Sequence, residues 1–541
     1  MKIPSLFLSA AGAVSALTIA EINGNKFLSP YKDQTVTNVT GLVLAKGPSG
    51  IWIRSTEPDD DDATSGRLRL RQLRRNQPHA HNPDRSTTNY IYLTEISSPK
   101  NVVVVSKGNE VTPLVIGVDT LNPPTEQYTS LDGGDIYGVP NAVANVSTEN
   151  PVLDPKSYGF DFWESLSGEL VTVKNPVAVT RPNQYGDTWV VGDWPATGRN
   201  EHGGITMTAK DSNPEAIVIG SPLDGTSNPE SKMGDQLTEI TGVVTYAFGF
   251  YRILPLTAIT FNLAPTSAHL PSIAAHIADY MKTPDLIFVQ EIQDNTGPTN
   301  DGVVSSNVTL STLTAAIESH TNGTVYDFVT IDPLWKPNPG GSTDANEVLA
   351  GPTLKYNPGR IEPASSAWSA SRKPLAAEWR AINGPQNKTF FTVNVHWASK
   401  GGSSSLHGDP RPPNNGGVDE RIEQAEVTGA FIAQILAEDP NARIISSGDF
   451  NEFTFVEPLT TFASKSGLLD LDEVVGIPVN ERYTYVYDMN AQQLDHMFVS
   501  PALSKANQTH YEHIHVNSWE LYDNLVSDHD PSVAQFNVCG C

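Results

Sequence analysis

The sequence predicts an α/β protein: sheets covered by helices in the C-terminal half, and a β-rich N-terminal half that includes a small barrel. Three observations predict it. From about Leu237 onward, strand-length apolar runs alternate with helical patterns. Before that point short strand candidates recur, punctuated by Gly and Pro, with no long helical pattern. Late in the chain two polar strings, Ser447-Gly448-Asp449-Phe450-Asn451 and Ser527-Asp528-His529-Asp530-Pro531, each lie beside an apolar run, as residues held at strand ends do.

A chain of 541 residues exceeds one ordinary domain, so two or three are expected. Hydrophobic content of 38% and charged content of 18% fit a folded globular protein. The net charge of −26 excludes binding of nucleic acid through a broad basic surface. A polyanionic substrate would have to be engaged locally, by a metal ion and a few Arg or Lys; the plainer meaning of the charge is solubility outside the cell. Residues 1–16 read as a secretory signal: Lys2, an apolar stretch from Ile3 to Val14, and the small-residue cleavage site Val14-Ser15-Ala16. That stretch is too short to span a membrane, and no later apolar run is long enough. The sequence therefore predicts a secreted protein with no membrane partner and no obligate protein partner. Sequons at Asn38, Asn145, Asn307, Asn322, Asn387 and Asn507 agree with a glycosylating route. Cys539 and Cys541 are the only cysteines. A bridge across one residue would be strained, so they read as a free pair or an intermolecular link, peripheral to function.

Residues 17–122 read as the small barrel, of the oligonucleotide-binding type in its strand spacing. Thr35–Leu44, with a Gly-marked bend, and Gly50–Arg54 are strands, and Ile91–Leu93 and Val102–Val105 continue the pattern. Residues 66–85 break it: Arg67, Arg69, Arg71, Arg74, Arg75 and Arg85 face only Asp84. A basic arm for nucleic acid, a disordered insertion and a stretch wrongly translated from the gene remain open. Residues 123–231 read as a β-rich bridge, with strands at Gly168–Val177 and Thr188–Val191. Residues 237–538 form the downstream unit. Its strands are expected at Val243–Phe248, Leu256–Asn262, Asp285–Glu291, Phe390–Val395 and Ala442–Ser446. Its helices are expected at Pro271–Lys282, Leu310–His320 and Val418–Ala437, the last with Ala425, Ala430, Ile432 and Ile435 inward.

The strand ends carry the chemistry. Glu291 closes the run Leu286–Val289, and its hard oxygen donors suit an ion such as Mg2+, which takes few carboxylates and several waters. Asn262 ends another strand, either as a turn amide or as a holder of carboxylate or water at the metal. His396 follows Thr392-Val393-Asn394-Val395 and can donate to a phosphate oxygen. Lys400 is either a local positive charge or a solvated loop residue. Asp449 and Asn451 flank Phe450, so in extended chain they point the same way; the acid can take a proton from water and the amide can bind the transition state. Asp495 is the expected partner that fixes the tautomer of His529 and raises its basicity. His529 then serves as base or as phosphate ligand, and His496 is a neighbour.

The ordered set Asn262, Gln290-Glu291, His396, Gly448-Asp449-Phe450-Asn451, Asp495 and Ser527-Asp528-His529 resembles the endonuclease/exonuclease/phosphatase superfamily, from about Leu237 to Val538. The resemblance implies a four-layer α/β sandwich with two central β-sheets and divalent-metal hydrolysis of phosphoesters. It implies Glu291 as the main metal ligand with Asp528 assisting. Asp449 and Asn451 would act at water and phosphate, Asp495 would pair with His529, and His396 would face the phosphate. Leu354-Lys355-Tyr356-Asn357 and Ser371-Arg372-Lys373-Pro374 resemble the family's tyrosine strand and phosphate-contacting arginine. Together with Tyr158-Gly159-Phe160-Asp161-Phe162-Trp163-Glu164-Ser165-Leu166 and the barrel, the chain is most similar to large secreted microbial nucleases. The Arg-rich stretch departs from their pattern. The implied activity is a nuclease on DNA or RNA with Mg2+ or Mn2+, Ca2+ being a third candidate. A phosphatase or lipid phosphodiesterase on the same fold is the alternative, and a nonhydrolytic nucleic-acid-binding module is a different class of answer.

Overall fold

A computed structural model gives the architecture. It describes residues 17–48, 50–56, 67–71, 91, 93–133, 137, 143–257, 259, 270–297, 299, 301–332, 347–348, 354, 357–369, 371–382, 385, 388–505 and 509–538. The expected signal at 1–16, most of the Arg-rich stretch, Asn262, Tyr356, Asn387, Asn507, Cys539 and Cys541 lie outside these residues.

The fold is mixed α/β with several sheets. At the N-terminus Leu42–Gly47, Gly50–Arg54, Arg67–Arg71 and Glu95–Ser97 pair in that order, the last two in parallel. Among the described residues this sheet is open, so the expected barrel does not close. Val102–Val105, expected to continue it, lies outside any strand and is 65–84% exposed. A run of valines fits a strand, but strand formation also needs a free ladder edge, which composition does not reveal.

Upstream, seven strands form one sheet. Their spatial order is Leu114–Val115, Leu170–Val173, Ile240–Ala247, Phe250–Pro255, Ile217–Ile219, Thr188–Val191 and Val177–Ala178. Every residue of Leu170–Val173 and Thr188–Val191 is buried, as expected of strands covered on both faces. The helix Gly159–Ser165 is buried throughout and packs Phe160, Phe162 and Trp163 into the same core. The sheet runs past the expected boundary at residue 231. Ile240–Ala247, overlapping the expected strand Val243–Phe248, and Phe250–Pro255, not expected as a strand, are its central strands, pairing with Leu170–Val173 and Ile217–Ile219. Apolar pattern marks a strand; it does not name the partner.

A second seven-stranded sheet carries the late motifs. Its order is Glu347–Val348, Gly359–Ile361, Leu375–Arg380, Thr389–His396, Ile444–Asp449, Asp495–Val499 and Leu469–Asp470. The helix Val418–Glu438 covers one face, burying Ala425, Phe431, Ile432 and Ile435 at helical spacing. It packs against the helix Glu457–Ser466, and Gly429 permits the close approach: a Cβ there would lie 2.9 Å from Lys465 Cβ. The other face holds the short helix Leu471–Val475 and the hairpin Thr509–His513/Ser532–Phe536, packed on Ile445 and Val499. Asp285–Glu291, expected as a buried strand, has no ladder partner among the described residues, and Val289 is 38% exposed. Leu256–Asn262, its expected companion, falls largely outside them. Among the described residues, the pairing opposite this sheet is the hairpin Thr509–His513/Ser532–Phe536.

A separate three-stranded sheet links upstream and downstream segments. Ile205–Thr206 pairs with Asn490–Ala491, and Leu406, Phe453, Val456 and Leu494 complete the upstream core. Arg411 and Asp132 form a fully buried ion pair at 2.6 Å between them. No described helix is long and apolar enough to cross a membrane.

Candidate active site

Three adjacent strands bring the first acids and imidazole together. His396 lies in register with Asp449, and Asp449 with Asp495, so the three form one row across the sheet. The strands can sit this close because position 448 is glycine. Gly448 has φ +136°, and a Cβ there would stand 2.1 Å from Val395 O. Phe450 is buried between Trp397, Phe462 and Phe498, which fixes the turn carrying Asp449 and Asn451. Asn451 adopts φ +52°, a conformation asparagine tolerates better than most residues.

Asn451 holds Asp449. Its backbone N donates to Asp449 Oδ1 at 2.8 Å, and its Nδ2 donates to Asp449 Oδ2 at 3.0 Å and to Trp397 O at 3.1 Å. With both amide hydrogens engaged, Asn451 orients the acid here, where the sequence suggested a transition-state donor. Burial, and then the charge of Asp495, push the Asp449 carboxyl up to about 7.

His529 Nδ1 lies 2.6 Å from Asp495 Oδ2. Asp495 is fixed in turn, its backbone N donating to Thr484 Oγ1 at 3.2 Å. Burial alone would lower the His529 pKa. The hydrogen bond and charge of Asp495, with Asp449 and Asp528, outweigh it and raise the group to about 9. The same pairing holds the Asp495 carboxyl below its ordinary value against the effect of burial. His529 also packs its ring on Tyr485, centroids 4.8 Å apart. Asn517 Nδ2 donates to His529 O at 2.7 Å. Buried Asp530 accepts from the backbone N of Asn517 and of Ser518 at 2.6 and 3.1 Å, so it holds the loop behind His529.

Arg372 enters from the loop before Leu375–Arg380. Its Nη2 lies 2.6 Å from His396 Nε2 and 3.4 Å from Glu291 Oε1, and its Nη1 donates to Trp397 O at 3.4 Å. A guanidinium only donates, so His396 Nε2 accepts and its proton is on Nδ1. In this arrangement His396 Nε2 cannot donate to phosphate. Burial, then the charge of Arg372, lower the His396 pKa to about 3, keeping the ring neutral. His396 Nε2 lies 3.5 Å from Asp449 Oδ2 and 3.8 Å from Glu291 Oε1.

Of the expected residues, Glu291, Arg372, His396, Asp449, Asn451, Asp495 and His529 therefore stand in one linked cluster, and Asp528 is exposed beside His529. Lys400 does not join them. Its ammonium lies 2.6 Å from Glu452 Oε1 and 2.6 Å from Asn415 Oδ1, over the Phe453 ring. Glu452 is fully buried and also takes Arg421 Nη2 at 2.8 Å, while Arg421 Nη1 donates to Ala398 O and Ser399 O. This network ties the segment after His396 to the turn bearing Asn451. Sequence reasoning passed over Glu452, although it directly follows Asp449-Phe450-Asn451. It also passed over Thr484 and Asn517, for which no local signal existed.

Among the described residues no group of three or more His, Cys, Asp and Glu side chains forms a ready-made metal cage. The donor set still fits a hard divalent ion of the Mg2+ kind, which needs only one or two carboxylates and fills its shell with water and phosphate. The Glu291 carboxylate, 74% exposed, is open to such an ion.

A family profile described as "Domain of unknown function (DUF8508)" matches residues 115–266, which span the upstream seven-stranded sheet. No curated protein matches the chain. Among solved structures, truncated Caenorhabditis elegans TDP2 is 14% identical, covering 49% of this chain and 89% of that one, with a TM-score of 0.30. The human Nocturnin catalytic domain with bound sulfate anion is 16% identical, with coverages of 31% and 54% and a TM-score of 0.22. A Bacteroides thetaiotaomicron mannosyl-6-phosphatase is 20% identical, with coverages of 32% and 60% and a TM-score of 0.21. Scores this low carry no argument, and the functional reading rests on the chain's own residues.

Proposed function

We propose that the chain is a metal-assisted phosphoester hydrolase of the endonuclease/exonuclease/phosphatase type, acting as a secreted nuclease on DNA or RNA. The observation that carries this reading is the His396–Asp449–Asp495 row with His529 paired to Asp495 and Arg372 alongside. It supplies a base, a proton donor and a fixed cation, as attack of water on a phosphoester requires.

The surroundings raise both groups, Asp449 to about 7 and His529 to about 9, so between those values Asp449 is the ionised base and His529 the protonated acid. Asp449, aimed by Asn451, accepts a proton from water as the water oxygen bonds to phosphorus. The ester P–O bond breaks, and the leaving oxygen takes a proton from His529. Asp495 stays charged and holds the His529 ring. Arg372 exchanges His396 Nε2 for a nonbridging phosphate oxygen, and neutral His396, once released, donates to a second only after its proton moves from Nδ1 to Nε2. Glu291, with Asp528 assisting, would hold a divalent ion, which would supply Lewis-acid polarisation of the phosphate. Asn262 joins this set by its strand-end position and the resemblance, Tyr356 by the resemblance alone. Asn38, Asn145, Asn307 and Asn322 are all exposed, which supports glycosylation and hence secretion.

Supercoiled plasmid, sphingomyelin and inositol phosphates, each assayed with and without chelator, test the assignment. Chelator-sensitive conversion of plasmid supports it. Turnover of only the lipid or inositol substrates would replace the nuclease reading, and no turnover of any would end the hydrolase reading.

A further inference from the structure

Arg181 stands outside every role assigned above. It follows the upstream sheet's edge strand Val177–Ala178 by three residues, and its Nη1 donates to Asn517 O at 3.4 Å. Asn517 is the residue whose side chain holds His529 O and whose backbone N reaches Asp530. The guanidinium therefore borders the loop behind the proposed acid, in the field of Tyr485, Asp528, Asp530 and Tyr522.

Its bonding is incomplete. One long hydrogen bond uses one of five N–H donors, and among the described residues it has no ion-pair partner. Two other arginines of the upstream half are compensated: Arg252 pairs with Asp187 at 3.2 Å, and Arg54 pairs with Glu169. A partly buried cation left this open has poor compensation for its lost hydration. None of its nitrogens is among the sealed, unpartnered polar atoms, so its spare donors face solvent. The same rim carries a second cation: Lys232 Nζ lies 3.9 Å over the ring of Trp519, two residues beyond Asn517.

We infer that Arg181 binds a phosphate of the polynucleotide strand adjacent to the one being cut, so that the upstream half contributes a substrate contact to the downstream site. Arg372 already serves the reacting phosphate from the Glu291 side; Arg181 approaches from the His529 side, beyond the edge strand of a different sheet. Its planar fork matches phosphate geometry. On a chain of net charge −26 such a contact has to be a local one. The inference rests on the nucleic-acid reading above, and its test separates the two.

The test measures binding of a fluorescent single-stranded oligodeoxynucleotide in EDTA at several salt concentrations, for the parent, Arg181→Ala and Arg181→Lys. In parallel, oligonucleotide and bis(4-nitrophenyl) phosphate are hydrolysed with Mg2+. Arg181→Ala should weaken oligonucleotide binding at least about tenfold and flatten the log–log salt slope by about 0.7, as loss of one single-strand phosphate contact does. It should lower kcat/KM for the oligonucleotide at least about tenfold more than for the small diester, chiefly through KM. Arg181→Lys should recover part of both. Unchanged affinity and slope would overturn the inference, and so would an equal loss on both substrates, which would mark a support role for Asn517. Arg181-dependent binding by a parent without hydrolysis would support this contact while removing the hydrolase reading.

Discussion

Asp495→Asn removes one negative charge and little volume from the centre of the proposed machinery. In the parent, His529 Nδ1 and Asp495 Oδ2 stand 2.6 Å apart, and the His529 pKa is raised from 6.5 to about 9. That rise corresponds to on the order of 3 kcal/mol in favour of the imidazolium. Because the folded pKa is raised, this stabilisation is complete below about pH 6.5 and is lost as pH rises through about 9. The Asp495 pKa is lowered, so its share is present above about pH 4 and lost on acidification. Urea denaturation should therefore find Asp495→Asn less stable than the parent by about 2–3 kcal/mol at pH 6, with the gap closing above about pH 9. The pH–rate profile adds a sharper signature. The parent should rise through about 7 as Asp449 ionises and fall through about 9 as His529 deprotonates. In Asp495→Asn burial is left unopposed at His529 and Asp449 loses its largest charge repulsion, so both limbs should move to lower pH. The maximal rate should fall by about 10²–10⁴, the usual worth of a positioned proton donor. An alkaline limb that stays in place would refute the assignment of His529 as acid.

Gly448→Ala should destabilise the protein by about 3–5 kcal/mol, since its Cβ would meet Val395 O at 2.1 Å; calorimetry checks this, and a change below about 0.5 kcal/mol would contradict the close approach of the His396 and Asp449 strands. Glu452→Gln leaves Lys400 and Arg421 buried beside a neutral group, so denaturation should show a loss on the order of 3 kcal/mol. Arg372→Lys keeps the charge but not the fork that spans His396, Glu291 and Trp397 O, so kcat/KM should fall about 10–100-fold in plasmid nicking assays.

Much of the site was legible because its residues sit at the ends of apolar runs. The Ile444–Asp449 strand and the helix Val418–Glu438 follow from pattern alone, and Asp449-Phe450-Asn451 announces itself by flanking an aromatic anchor. The Asp495–His529 pair, 34 residues apart in the chain, was readable from the chemistry of the two residues, and the resemblance implies it too. What stayed hidden was partnership. Lys400 reads as a site cation until Glu452 is seen to occupy it. His396 reads as a donor until Arg372 is seen to use its Nε2. Ile240–Pro255 reads as the start of the downstream unit, but strand pairing assigns it upstream. Asp285–Glu291 has the composition of a buried strand and no edge to join among the described residues.

The account's central claim is that Asp449 and His529, from distant segments, act as one unit on a single phosphoester. A double-mutant cycle under single-turnover conditions measures this, using Asp449→Asn, His529→Gln and the combined variant on one oligonucleotide. The account predicts that each single change lowers the rate at least about a hundredfold and that the combination falls no further than the worse single variant. Near-parental turnover in either single variant, or losses that multiply in the pair, would contradict it.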